Sequence, residues 1–304
     1  MADIWNHQHA EVNGVRLHYV RQGSGTPLLL IHGWPGFWFE WNQNIGPLSE
    51  RFDVIAPDMR GFAYSDKPDL PPEEGYTDAV IADDIAALIA ELGFDKVNLV
   101  AHDFGALWAQ RLARTRPELL DKLILFNPPY PGIGGRWFEM PQPFESWYMF
   151  FHQQPWAEEI VGASRSNIET YLRHFLRHWS HDTDVFPDEE IAEFVEAYSQ
   201  PGALRGGFNC YRAIFRTAGQ DQGDLKISTP TLMVAGSADG LLPYNLRDFE
   251  RLGNASLHVF SRVSHGVPRE VPAGLSRVLA DFMEHGVVTA ATLEARLKNR
   301  TAVG

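Results

Sequence analysis

The chain carries one cysteine, Cys210, among its 304 residues, so no intrachain disulfide and no metal site built from several thiolates can form. Long apolar runs are also missing. Stretches such as Leu28-Leu29-Leu30-Ile31 fall far short of the ~18 residues that cross a bilayer. The start, Met1-Ala2-Asp3-Ile4-Trp5-Asn6-His7, has no basic segment followed by an apolar one, so no export signal is visible and a cytoplasmic location is expected. Positive charge is scarce, with 26 Lys and Arg against 39 Asp and Glu and a formal net charge of −13. A nucleic-acid groove needs a concentrated positive field, and a polyphosphate needs a basic cluster, so neither partner is expected. Gly23-Ser24-Gly25 precedes a strand rather than a helix, which excludes a phosphate loop. The expected partner is a small-molecule substrate, with no nucleic acid and no membrane span, and the protein is expected to be a monomer or homodimer.

Aromatic residues, by contrast, are plentiful: nine Trp and nineteen Phe point to a bulky apolar interior or pocket. The N-terminal third alternates strands with helices. Glu11-Val12, Asn13-Gly14 and Val15 to Val20 spell a hairpin with a two-residue turn. Thr26 to Ile31, Phe52 to Pro57, Lys96 to Ala101, Lys122 to Phe126 and Thr231 to Ala235 are short apolar runs of the kind covered on both faces. Amphipathic stretches lie between them, such as Asp83 to Leu92 with Ile85, Leu88, Ile89 and Leu92 on one stripe. This pattern predicts an α/β fold with a mostly parallel central sheet. After Asn127 the alternation stops at Pro128-Pro129-Tyr130-Pro131-Gly132, and about ninety residues of helical spacing follow. The expected organisation is a core over 1–127, an inserted all-helical cap over 128–222, and the rest of the core over 223–304 with a C-terminal tail. Such a cap would lie over the carboxyl edge of the sheet, where α/β proteins bind ligands.

The sharpest chemical signal is Val100-Ala101-His102-Asp103-Phe104-Gly105-Ala106, at a junction of strand and helix. Small residues stand two before and two after Asp103, as a nucleophile elbow requires. A carboxylate there is ionised at neutral pH and can displace a leaving group at saturated carbon, forming an ester. The plainer alternative is that Asp103 caps the helix that follows. Three further features favour chemistry. Ile31-His32-Gly33-Trp34-Pro35 follows the first buried strand, where the amide of Trp34 would join that of Phe104 as an oxyanion hole. Asp239 follows a late strand, and His265 lies in a turn after the last one. The order nucleophile, acid, histidine is the one this sheet uses. Asn127 stands at the other strand end where an acid sometimes sits; it cannot ionise, which leaves Asp239 to orient His265.

On these residues the chain resembles the α/β-hydrolase superfamily, and within it the epoxide hydrolases. The motifs are His32-Gly33-Trp34-Pro35, Asp58-Met59-Arg60-Gly61-Phe62-Ala63-Tyr64-Ser65-Asp66-Lys67-Pro68, His102-Asp103-Phe104-Gly105, Asp239 and His265, and they run from the hairpin to about Glu284. Ala101 departs from the more usual Gly, and it too fits an elbow. The resemblance implies two cap tyrosines that meet the epoxide oxygen. Trp147-Tyr148-Met149-Phe150-Phe151-His152 resembles the segment of the first, and Gly207-Phe208-Asn209-Cys210-Tyr211-Arg212 that of the second. A neutral phenol with a pKa near ~10 suits the task of protonating an alkoxide. The reaction implied converts an apolar epoxide to a vicinal diol through an Asp103 ester, which water activated by His265 then hydrolyses, with no cofactor and no metal. The substrate-binding set is Trp34, Phe104, Tyr148 and Tyr211.

Two rivals share these features. Haloalkane and fluoroacetate dehalogenases use the same aspartate, but they resemble this chain less in their halide and carboxylate partners: Phe104 lacks a side-chain N–H, and Phe104 and Leu107 cannot pair with an acid. The second rival is a non-catalytic ligand-binding protein on the same fold. His174, His178 and His181, spaced by four and three, lack an accompanying carboxylate motif and read as a solvated or partly packed helix. The tryptophans of the cap, Trp137, Trp147, Trp156 and Trp179, lean toward a bulky or aryl epoxide.

Overall fold

The computed structural model describes residues 4–127, 142–217, 226–243, 246, 252 and 255–286. Eight strands form one sheet in the order β1-β2-β4-β3-β5-β6-β7-β8: β1 (His7–Val12), β2 (Val15–Gly23), β3 (Thr26–Ile31), β4 (Phe52–Pro57), β5 (Val97–His102), β6 (Leu120–Phe126), β7 (Thr231–Gly236) and β8 (Ala255–Phe260). The β1/β2 and β2/β4 pairs are antiparallel, and every pair from β4 through β8 is parallel. Asn13 and Gly14 both take positive φ, 48° and 74°, as a tight hairpin turn requires. The apolar runs sit where burial on both faces demands them: Leu28 through Ile31, Leu99 to Ala101 and Leu123 to Phe126 are wholly inaccessible. β8 was not among the runs picked out by sequence. Its half-exposed edge carries Ser256 and His258 among the apolar residues, which breaks any continuous run.

Helices α1 (Asn42–Ser49), α2 (Asp78–Glu91), α3 (Phe104–Thr115) and, near the C-terminal end, Pro272–His285 accompany the sheet. α2 packs on α3, and α1 on the last helix. α2 starts upstream of the predicted Asp83 because the Thr77 hydroxyl accepts the Val80 amide at 3.3 Å and caps it. Between β6 and β7 the described residues 142–217 contain helices and no strand: α4 (Trp147–Phe151), α5 (Ala157–Val161), α6 (Arg165–His178), α7 (Asp188–Tyr198) and α8 (Ala203–Arg216). Ser164 caps α6 by accepting the Asn167 amide at 3.1 Å, and three acidic residues open α7, next to its positive end. α8 lies directly on the loop after β4: a side chain at Gly206 would overlap the backbone of Gly61. The Pro128 to Gly132 break, Trp137 and the tail beyond Gly286 fall outside the described residues.

Candidate active site

Each chemistry-bearing residue of the sheet stands just past the carboxyl end of a strand: Trp34 after β3, Asp103 after β5, Asn127 after β6, Asp239 after β7 and His265 after β8. Asp103 adopts φ 51° and ψ −119°, a conformation rarely taken by a side chain other than glycine. The turn leaves no room around it. A Cβ on Gly105 would stand 2.6 Å from the His32 carbonyl oxygen, and one on Gly33 would stand 2.6 Å from Asp103 Oδ1. Although Asp103 occupies the N-cap position, its side chain makes no capping bond. Its carboxylate points elsewhere.

Oδ1 accepts the Trp34 amide at 3.0 Å, and Oδ2 lies 3.6 Å from His265 Nε2. His265 Nδ1 lies 3.2 Å from Oδ2 of Asp239, whose side chain is inaccessible and whose Oδ1 accepts the Leu241 amide at 2.9 Å. The three residues that sequence placed on separate strands thus form one line. Burial works against charge on His265, but Asp239 and Asp103 outweigh it and push its pKa up to about 10. Burial likewise raises the Asp103 carboxyl, but the hydrogen bond and charge of His265, the charge of His102 and the Trp34 amide hold it below its ordinary value. The Phe104 amide, expected as the second oxyanion donor, does not bond the resting carboxylate. An oxyanion hole serves the tetrahedral oxygen, so a planar carboxylate need not engage both donors.

Tyr148 on α4 and Tyr211 on α8 meet above this line. Their rings cross at 88° with centroids 5.5 Å apart. Trp34 stacks on Tyr148 at 5.8 Å, and Phe104 meets Tyr211 edge-on at 4.7 Å. Burial first, then the Asp103 charge for Tyr148 and the nearby Tyr148 phenol for Tyr211, raise both phenols well above the ordinary value. Both stay neutral donors at neutral pH. His152 packs 4.6 Å from Tyr211 and 5.0 Å from Trp34, and its Nε2 lies 2.8 Å from the Tyr171 hydroxyl. Of the tryptophans placed in the cap, Trp179 lies 5.4 Å from the His265 ring, whereas Trp147 and Trp156 are more than two-fifths exposed. His178 pairs with Glu145 at 2.7 Å, and His174 stacks on it. Among the described residues no cluster of His, Cys, Asp and Glu could hold a metal ion, and no helix is long and apolar enough to cross a membrane.

Several neighbours carry polar roles that sequence reasoning assigned to none of them. The Asn127 side-chain amide donates to the His265 carbonyl at 2.7 Å. The His265 amide donates to the Trp179 carbonyl at 3.1 Å. Glu270, whose pKa burial raises against the pull of its amide donors, accepts the amides of Ser264 at 2.8 Å, His181 at 2.9 Å and Asp182 at 3.4 Å. One carboxylate thereby joins the His265 loop to the helical segment. Arg269 beside it is paired with Glu190 of α7 and with Asn42. Glu40 and His102 pair at 2.5 Å beneath the site. The one visible signal was Glu40 itself, a lone charge inside the aromatic run Phe37-Trp38-Phe39-Glu40-Trp41.

The sheet order, the strained aspartate after β5 and the histidine after the last strand define an α/β hydrolase, and a family model described as alpha/beta hydrolase fold matches residues 26–267. A second model, described as epoxide hydrolase N terminus, matches residues 2–41. The chain is 36% identical to the soluble epoxide hydrolase of Corynebacterium sp. (strain C12), over 76% of this chain and 81% of that protein. It is 33% identical to epoxide hydrolase 3 of Mus musculus, over 90% of this chain and 75% of that one. A solved structure of the epoxide hydrolase CorEH without ligand superposes with a TM-score of 0.81 at 32% identity, covering 92% of this chain and 99% of the other. Within the α/β hydrolases, the chain belongs to the epoxide hydrolase family.

Proposed function

We propose that this chain hydrolyses an apolar epoxide to a vicinal diol in two steps, with residues 128–222 as the cap over the site. Asp103 Oδ2 attacks one ring carbon while the C–O bond to the ring oxygen breaks, and that oxygen takes a proton from the phenol pair Tyr148 and Tyr211. The product is a hydroxyalkyl ester whose carbonyl oxygen is Oδ1, already at the Trp34 amide. Esterification removes one of the two negative charges that hold His265 protonated. The imidazolium gives its proton to the phenolate left by ring opening and, oriented by Asp239, can then take one from water. Water attacks the Asp103 carboxyl carbon, the amides of Trp34 and Phe104 bind the oxyanion, and the ester bond to the diol breaks. Of the water's two protons, one passes through His265 to the departing alkoxide and the other stays on His265, which is again the imidazolium beside an ionised Asp103. Trp34, Phe104, Tyr148 and Tyr211 form the substrate-binding wall.

The observation that carries this reading is the pair of buried phenols packed ring against ring at 5.5 Å, each also against an oxyanion-loop or elbow ring, beside the Asp103 carboxylate, with burial keeping both phenols neutral. A halide leaving group has no use for a proton donor, whereas an alkoxide requires one. The test uses His265→Gln, in which the ester should form and persist. After exposure to styrene oxide, intact-protein mass is expected to rise by the whole epoxide, mapped to Asp103. A gain of substrate minus halide from a haloalkane or haloacetate would make the protein a dehalogenase. No adduct from a broad panel would make it a binding protein.

A further inference from the structure

Tyr148 stands on α4 and Tyr211 on α8, so the geometry of the phenol pair depends on how these two helices are held together. α4 spans five residues, Trp147–Phe151, too few to hold a helix by themselves, and the last carbonyls of a helix find no partner within it. Arg212, the residue after Tyr211, supplies donors at that end. Its Nε donates to the His152 carbonyl at 2.8 Å and its Nη2 to the Gln154 carbonyl at 3.1 Å. Its Nη1 donates to Asn209 Oδ1 at 3.0 Å, one turn back on α8, and pairs with Glu158 of α5. Four bonds thus fan out from one guanidinium, on a side chain 12% exposed. The first of them leads to the phenol. The His152 amide donates to the Tyr148 carbonyl at 2.8 Å, so the backbone of Tyr148 stands two hydrogen bonds from the residue that follows Tyr211. The His152 ring closes the joint from the other side, stacked on Phe208 of α8 with centroids 3.9 Å apart. Burial first, and the Arg212 charge second, keep that imidazole neutral, as an aromatic stack of this kind requires.

We propose that Arg212 is a positioning residue: its guanidinium fixes the end of α4 against α8 and so sets the spacing and angle at which Tyr148 and Tyr211 meet the ring oxygen. The proposal rests on the two-step reading above. Neighbouring rings hold each phenol from the side, whereas Arg212 holds together the two helices that bear them. Ring opening needs its proton donors in place at the moment the C–O bond breaks, and a misplacement of about 1 Å costs on the order of 10²-fold in rate. Decay of the ester depends on other groups, namely His265, Asp239 and the amides of Trp34 and Phe104, and the four bonds of Arg212 reach none of them. The influence of Arg212 therefore falls on the first step alone.

Arg212→Met keeps most of the stem and removes the fork of donors. In rapid-quench single turnovers with styrene oxide, ester formation is expected to slow by about tenfold to 10²-fold, while decay of the ester once formed stays within about twofold of the parent. In a Tyr148→Phe background the same substitution should slow ester formation by less than about twofold more, because the hydroxyl it places is already gone. Equal slowing of both steps, or full addition to Tyr148→Phe, would overturn the proposal and leave Arg212 a purely structural residue. If Arg212→Met does not fold, Glu158→Gln, at a side chain 27% exposed, loosens the same fork and should slow ester formation alone by roughly two- to fivefold. An unchanged rate there would refute the proposal. A further measurement needs no turnover. In protein labelled with ¹³C-tyrosine, the nuclear Overhauser cross-peak between the rings of Tyr148 and Tyr211, assigned by its absence in Tyr148→Phe, should weaken or vanish in the variant. A cross-peak as strong as in the parent would overturn the proposal. Should the parent form no ester with any epoxide, the reaction reading fails, and the cross-peak still decides whether Arg212 sets the two rings.

Discussion

Below the Asp103 carboxylate, main-chain groups fix the side chains: the Trp34 amide holds Asp103, the Leu241 amide holds Asp239, and the Trp179 carbonyl holds the backbone of His265. Above it, rings fix rings. Tyr148 and Tyr211 are set by Trp34, Phe104, His152 and Phe175, at centroid distances between 4.6 and 5.8 Å. Hydrogen bonds to main chain define position within a few tenths of an ångström, whereas stacked aromatics tolerate exchange among rings of similar size. The lower half therefore suits a group that must attack along one line. The upper half suits donors that follow an oxygen as it leaves its carbon, and it leaves room for changes in substrate shape.

Four measurements sharpen that contrast. Asp103→Ala removes the proposed nucleophile and is expected to lower kcat by about 10⁴-fold or more, with thermal unfolding little changed. Residual turnover near the parent rate would move the nucleophile elsewhere. Tyr148→Phe and Tyr211→Phe keep every ring contact and lose only the hydroxyl, so each should slow ester formation by roughly 10²-fold and leave ester hydrolysis nearly untouched in single-turnover experiments. Glu270→Gln weakens the three amide contacts that join the two halves. It should cost about 1–2 kcal/mol in urea unfolding and reduce kcat several-fold, with the ester accumulating because the histidine loop is the part released. The smallest effect is on stability against pH. His265 has its folded pKa raised from 6.5 to about 10, so its charged form contributes stability that is fully present below pH 6.5 and lost as pH rises through 10. Melting temperature should therefore decline across that window, and Asp103→Asn should flatten the decline.

The sheet is legible in the sequence wherever burial on both faces writes a continuous apolar run, as in β3, β4 and β5, and it fades at the edge strand β8, where only one face is covered. The line of Asp103, His265 and Asp239 is legible because chain order and strand ends fix it. The Asn13-Gly14 turn is legible because two adjacent positive φ values demand those residues. Other contacts are not legible because they join residues far apart with no local pattern. Glu40 meets His102 across 62 positions, and His181 meets Glu270 across 89. A tyrosine's hydroxyl is equally silent: nothing at Tyr148 or Tyr211 themselves distinguishes a donor from a packed ring, and only the family resemblance singled them out.

The Glu270 contacts and the bond between His265 and Trp179 also bear on how the molecule breathes. A helical segment that lifted from the sheet along the α6–α7 edge would have to break the Glu270 amide bonds and the bond between His265 and Trp179, or pull the histidine from its aspartate. In the proposed two-step reaction, opening on that side would couple the entry of substrate to the water step. Sequence changes in the connection between α6 and α7 should consequently register as altered lifetimes of the ester rather than as altered choice of epoxide.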